Sequence, residues 1–219
     1  MGMHIGILAA DCDWPSLAQA LAGPCGALID EGEISAQEWL ELPLGEDVLH
    51  IATENGHVYA LDPALLLSSC TGLIVSVSET LSCLVAGLGG DSTSRTFWLA
   101  AADRGRPVRV HFEGAAMLTK PFDLGAPLPS EAMIPWNDVD GLGILARLGD
   151  LGFDAGIFQR GPSSAGRRAR WPAERYPQPG ELDRRISEHC ERYKFTGARD
   201  LAVQERRESG RRGVFRRNR

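Results

Sequence analysis

The chain of 219 residues has no CxxC pair, no stretch of 18 uncharged apolar residues and no glycine-rich loop carrying a Walker lysine. Each absence removes a class of protein. The five cysteines (12, 25, 70, 83 and 190) are odd in number and show no pairing pattern, so the expectation is reduced, mostly buried thiols rather than a disulfide framework. No segment is long and apolar enough to span a bilayer. The N-terminus, MGMHIGILAADCDW, lacks a basic start and meets Asp11 and Asp13 almost at once, unlike a signal peptide. A cytoplasmic protein is expected. Disorder of the whole chain is excluded by 43% apolar residues, enough to bury a core.

The net charge of −6 conceals a division. Residues 1–155 hold 21 acidic and 6 basic side chains, a net of −15, whereas residues 156–219 hold 8 and 17, a net of +9. An acidic body favours basic partners and repels nucleic acid, and a basic end does the opposite or folds back on the body. The domain reading follows this split. Residues 1–155 form an acidic α+β globular domain, 156–180 (rich in Pro, Gly and Arg) a linker, and 181–219 a basic tail with one helix at about 181–195.

Within the body, Thr96 to Glu113 carries a hairpin signal. Asp103-Arg104-Gly105-Arg106 separates an apolar run from an alternating one, which predicts Val108, Val110 and Phe112 on the core side and Arg109, His111 and Glu113 on a wet side. A second hairpin is expected over 48–61 about Asn55-Gly56, which would bring His50 and His57 close together. Residues 3–9 read as a strand. Helices are predicted over 14–22 (Asp13 cap, Pro15 in the first turn, Gly23 at the end), 36–42 (Ser35 and Glu38 at capping-box spacing), 62–70 and 140–153. LIVSVS, 73–78, reads as a strand by its alternation, with a helix through 63–81 as the competing reading. Residues 118–136, with four prolines, read as an ordered surface loop. The fold expected is α+β: a mainly antiparallel sheet of about five to seven strands, helices 14–22, 36–42 and 140–153 covering one face, and a basic helical C-terminal extension.

No motif is specific for a reaction. GLGGDSTSR, 87–95, has the glycines and hydroxyls of a phosphate cradle but precedes a strand, so a plain turn is expected. His50, His57 and His111 with Asp47, Glu54, Asp62 and Glu113 have the chemistry of a metal or acid/base site but no ligand spacing. Cys70 and Cys83 lie in apolar runs without cationic neighbours, which marks structural thiols rather than nucleophiles. No catalytic, cofactor-binding or metal residue is assigned and no cofactor is expected. The candidate interaction residues are Trp136 and Trp171 as exposed anchors in proline-rich loops, Leu182, Ile186 and Tyr193 on the tail-helix stripe, and Arg167 and Arg168.

By elimination the leading expectation is a non-enzymatic protein that binds a protein partner with a basic surface. Its concrete form is an immunity or inhibitor protein that neutralises a toxin or nuclease. Two alternatives stand beside it. One is a nucleic-acid-associated accessory protein acting through the Arg-rich tail; the other is an enzyme using the His50/His57 region or the 87–95 loop. A homo-oligomer through the tail helix is a further possibility, and no membrane partner is expected.

Overall fold

The structure is a computed structural model that describes residues 4–41, 48–62, 65, 67–93, 95–114 and 122–171. The protein is α+β, built on one antiparallel sheet of nine strands in the order β2-β9-β3-β4-β1-β5-β6-β7-β8. The strands are β1 (His4–Ala10), β2 (Ile29–Ile34), β3 (Val48–Glu54), β4 (His57–Leu61), β5 (Leu84–Asp91), β6 (Thr96–Asp103), β7 (Arg106–Gly114), β8 (Phe122–Leu124) and β9 (Gly166–Arg170). The helices are α1 (Trp14–Cys25), α2 (Ala36–Leu40), α3 (Thr71–Leu81), α4 (Pro129–Met133), α5 (Gly141–Asp150) and α6 (Ile157–Arg160), with a 3-10 turn at Trp136–Asp138.

Local start signals behave as expected. The Asp13 carboxylate accepts from the Ser16 N–H at 2.8 Å and caps α1. Ser35 and Glu38 form a reciprocal capping box at α2. Asn55 and Gly56 take φ of 54° and 83° between β3 and β4, the left-handed pair that a two-residue hairpin turn demands. Helix α1, however, runs through Gly23 and Pro24 and is closed by Gly26.

The helices cover two faces of the sheet, not one. β1 is apolar at both parities: Leu8 and Ala10 join α1 and α3 in one core cluster, while Ile7 and Ala9 join α2, α5 and α6 in the other. A strand that is apolar throughout needs cover on both sides. The first face includes α3, which falls where 73–78 was expected as a strand. Leu73, Ile74 and Val77 share its buried side, and β5 already has β1 and β6 as neighbours, so no edge beside it remains for another strand. The serine that suggested alternation is also buried: Ser78 Oγ donates to the carbonyls of Cys83 (2.7 Å) and Ala102 (2.9 Å), tying α3 to the central hairpin. Among the described residues of 62–70 there is a turn and no helix; Asp62 holds it by accepting from the Ser68 N–H and hydroxyl, both at 2.9 Å.

The largest departure lies at 156–171, expected as linker. The chain continues to pack there, forming α6 and then β9, which inserts between β2 and β3. Its arginines find carboxylates on β2: Arg167 Nη2 lies 2.6 Å from Asp30 Oδ2 and Arg170 Nε 3.2 Å from Glu31 Oε1. Such exposed pairs contribute only about 0–1 kcal/mol each. The ladder to both neighbours, buried Ala169 and buried Trp171, whose Nε1–H donates to the Gly26 carbonyl at 3.2 Å, hold the segment in place. The basic segment thus folds back on its own acidic body. The remainder of the expected linker and the tail helix at about 181–195 lie outside the described residues.

Candidate functional site

The side of β7 expected to be wet is covered. Register sets Arg109 opposite Ala101 and His111 opposite Leu99, on the face that packs beneath α4 and the 3-10 turn, and both residues are buried. The 118–136 segment, expected as a surface loop, extends the sheet with β8 and provides that cover through α4, with Pro129 opening α4 where a missing N–H costs nothing. Val108, expected toward the core, is 45% exposed, while Val110 is buried.

Glu131 organises the resulting polar cluster. Its carboxylate accepts from Arg109 Nε (2.8 Å) and Nη2 (2.5 Å), from Trp136 Nε1 (3.0 Å) and from the Leu128 N–H (3.2 Å). Burial by itself raises the Glu131 pKa, but the hydrogen bonds from Arg109 and Trp136 outweigh it and hold the carboxyl below its ordinary range. The same bonds raise the Arg109 pKa against the penalty of burial. Arg109 Nη1 also pairs with Asp123 and donates to the Leu124 carbonyl at 3.0 Å. His111 stacks on Trp136 with ring centres 4.2 Å apart and planes at 10°, and its Nδ1 is 3.3 Å from Asp123 Oδ1. Arg147 Cζ lies 4.0 Å from the Trp136 ring centre. Fully buried on α5, Arg147 donates to the carbonyls of Gly143 (2.7 Å) and Ile134 (2.6 Å), and burial lowers its pKa.

Glu131 and Asp123 neutralise Arg109, while Arg147 is held by backbone carbonyls and the Trp136 ring, so the cluster clamps 122–150 onto the sheet. Its outer surface is different. Residues 122–150 contain Asp123, Glu131, Asp138, Asp140 and Asp150 against Arg147 alone. Asp123, Asp138, Asp140 and Asp150 are exposed, whereas Arg147 and the neighbouring Arg109 are sunk. Two large apolar side chains stand out on the same stretch, Met133 at 75% exposure on α4 and Leu142 at 63% on α5. Residues 122–150 thus expose four acidic and two large apolar side chains.

The other candidates are dispersed. His50 pairs with Leu61 and His57 with Glu54, so the two imidazoles sit at opposite ends of their hairpin, about 13 Å apart at 3.3 Å per residue, not side by side. His111 lies five strands from His50, about 24 Å at the usual strand spacing. His50 is buried with its Nε2 3.5 Å from Arg168 Nε, and burial followed by that cation lowers its pKa. His57 meets Phe153 edge-on, with its Nε2 3.6 Å from Asp11. Glu54 is taken by Arg160 (2.5 Å) and the Ser163 N–H (2.7 Å). Asp47 lies outside the described residues. Among those described, no group of three or more His, Cys, Asp or Glu is arranged to hold a metal.

Gly87, Gly89 and Gly90 belong to β5, not to a cradle. A Cβ on Gly87 would come within 2.4 Å of the Ser68 carbonyl, and one on Gly89 within 2.2 Å of the Ile5 carbonyl, so these glycines admit close neighbours. Trp136 and Trp171, expected as exposed anchors, are both buried, because one is stacked in the cluster and the other closes the core beside α1. Arg167 and Arg168 face Asp30 and His50. Leu182, Ile186 and Tyr193 lie outside the described residues.

Sequence reasoning missed Asp123, Glu131, Met133, Leu142 and Arg147. The available signal was a single Arg inside the Leu-rich run GLGILARLGD and the apolar spacing of Leu128, Ile134 and Trp136 between prolines. Among the described residues no helix is long and apolar enough to cross a membrane. Comparison of the chain with protein-family models, with curated proteins and with solved structures gives no significant match.

Proposed function

We propose that the protein acts by binding a partner protein through the acidic face of residues 122–150, in the manner of a cytoplasmic immunity or inhibitor protein that masks a basic toxin or nuclease. The observation that carries this reading is the sorting of charge on that face. Asp123, Asp138, Asp140 and Asp150 are exposed on the stretch that also exposes Met133 and Leu142, and both local arginines are buried. An exposed apolar centre with a charged rim is the usual anatomy of a recognition surface. Acidic rims speed encounter with cationic partners and reject anionic ones such as nucleic acid. The arginines of β9 engage carboxylates of the same sheet, so among the described residues the basic segment does not favour the nucleic-acid alternative.

The test is co-expression with the product of the neighbouring reading frame, followed by purification of the pair. A complex is expected whose affinity falls at least tenfold between 0.1 and 1 M salt, where the Debye length shrinks from about 10 to about 3 Å. Met133→Asp with Leu142→Asp should abolish it while leaving the melting temperature unchanged. A complex indifferent to both changes would refute the assignment of this face.

A further inference from the structure

We propose that Cys12 and Cys83 form a modification site, a cross-strand dithiol that hydrogen peroxide converts into a disulfide joining the start of α1 to the end of α3.

Sheet register makes the juxtaposition. β1 and β5 are paired through Ala10 and Val85, and the Asp11 N–H donates to the Leu84 carbonyl at 3.0 Å, which carries the ladder one residue further and sets Cys12 opposite Cys83. A position next to a narrow hydrogen-bonded pair is a wide one, with Cα atoms about 4.5 Å apart and the side chains closest. Disulfides accept Cα separations of about 4.4–6.8 Å. Parity agrees: Leu8 and Ala10 precede Cys12 on the α1/α3 face, Val85 follows Cys83 there, and both cysteines pack against the same cluster. Both are free thiols, each partly exposed, and their side chains are hydrogen-bonded to one another.

The chemistry balances with peroxide alone. The thiolate of one cysteine attacks a peroxide oxygen; an S–O bond forms, the O–O bond breaks, and hydroxide leaves and is protonated to water. The second sulfur then attacks the sulfenic sulfur; the S–S bond forms, the S–O bond breaks and a second water departs. Two thiols are oxidised and one peroxide is reduced to two waters. Burial, then the charges of Cys83, Asp13 and Asp11, pushes the Cys12 thiol up to about 12, and burial followed by Asp11 raises Cys83. The pair is therefore protonated and slow at neutral pH and faster in alkali, since only the thiolate attacks.

The experiment uses the full chain treated with hydrogen peroxide at pH 7 and pH 9, blocked with N-ethylmaleimide, digested and analysed by mass spectrometry. A peptide linking Cys12 to Cys83 is expected, about 2 Da lighter than the two reduced peptides together. It should accumulate on the order of a hundredfold faster at pH 9, where the thiolate fraction of a thiol titrating above that pH is about a hundred times larger, and disappear with dithiothreitol. Recovery of the two cysteines as separate blocked or overoxidised peptides, or linked elsewhere, overturns the proposal. Oxidised wild-type protein should also melt several degrees higher than reduced protein, because the cross-link restricts the unfolded chain, while Cys12→Ser and Cys83→Ser show no such shift. A lower melting temperature on oxidation would contradict a register that sets the two cysteines opposite each other within hydrogen-bond reach.

Discussion

The two faces of the sheet are covered by different means. On one, α1 and α3 lay apolar stripes over Leu8, Leu49, Ile51, Val58 and Val85, with buried Ser78 as an uncharged polar tie to the central hairpin. On the other, four short helices and a 3-10 turn do the same work over residues that include His50, Glu54, Arg109, His111 and Arg147. Two longer helices, each satisfying most of its own backbone, need little besides a hydrophobic stripe. Short, irregular cover leaves backbone groups and turns to be fixed, and here side-chain charges fix them: Glu131 takes the Leu128 N–H, Arg147 the Ile134 and Gly143 carbonyls, and Glu54 the Ser163 N–H. The apolar face should therefore depend on volume and the polar face on charge.

The most severe way to break that comparison is to remove the segment both faces share. A chain ending at Ala155 lacks α6, β9 and Trp171, which parts β2 from β3 and uncovers both clusters. It should lose its cooperative melt, whereas a chain ending at residue 180 should retain it. Circular dichroism melts of the two truncations decide this, and a cooperative transition in the shorter one would show that β9 is peripheral.

Single substitutions separate the faces. Glu131→Ala leaves Arg109 buried without its main partner and should cost about 3–5 kcal/mol. Much of that loss should return when Arg109→Met is added, since the stranded charge is then gone. Leu21→Ala on the apolar face should cost about 2–5 kcal/mol, with no second substitution of that kind to restore it. Urea unfolding of the three variants beside the wild type measures both. A double variant no better than Glu131→Ala would mean that packing, not charge, holds the polar face.

The smallest and most diagnostic difference is in pH dependence. Burial and Arg168 hold the His50 pKa below 6.5. On acidification the unfolded chain takes up this proton first, so the stability contributed by neutral His50 is full above about pH 6.5 and declines below it. The Glu54 pKa is lowered chiefly by the Ser163 N–H, and the Glu131 pKa is lowered against its burial. Their contributions are full above the ordinary carboxylate range and are lost as pH falls through it. Stability from urea melts should fall in two stages between pH 8 and 4. His50→Leu should remove the upper stage and leave the lower. A profile unchanged by that substitution would show that His50 titrates normally in the folded protein.

What could be read locally was read correctly where the cause is local. Asp13, Ser35 with Glu38, and Asn55-Gly56 act through atoms a few residues away, so their caps and turn follow from sequence alone, as do the alternation along β7 and the antiparallel α+β class. Almost nothing of the candidate site was legible. Alternation says that Arg109 and His111 share a side but not whether something lies upon it, and that depends on Glu131 and Trp136 arriving from more than twenty residues away. Proline content hid the elements that bring them.

By itself, then, the sequence determined the antiparallel α+β plan, the charge division and the starts of α1, α2 and α5, because those signals are complete within one turn or one hairpin. Only the tertiary structure decided that 71–81 is a helix, that 166–170 is an interior strand and that the charged side of β7 is buried. Each of these choices has two locally equal solutions: a residue pattern that fits two periods, a basic segment that suits solvent or an acidic strand, a polar face that suits water or a matched set of charges. The competing arrangements differ in what packs against them, and the nine-stranded order leaves one partner for each.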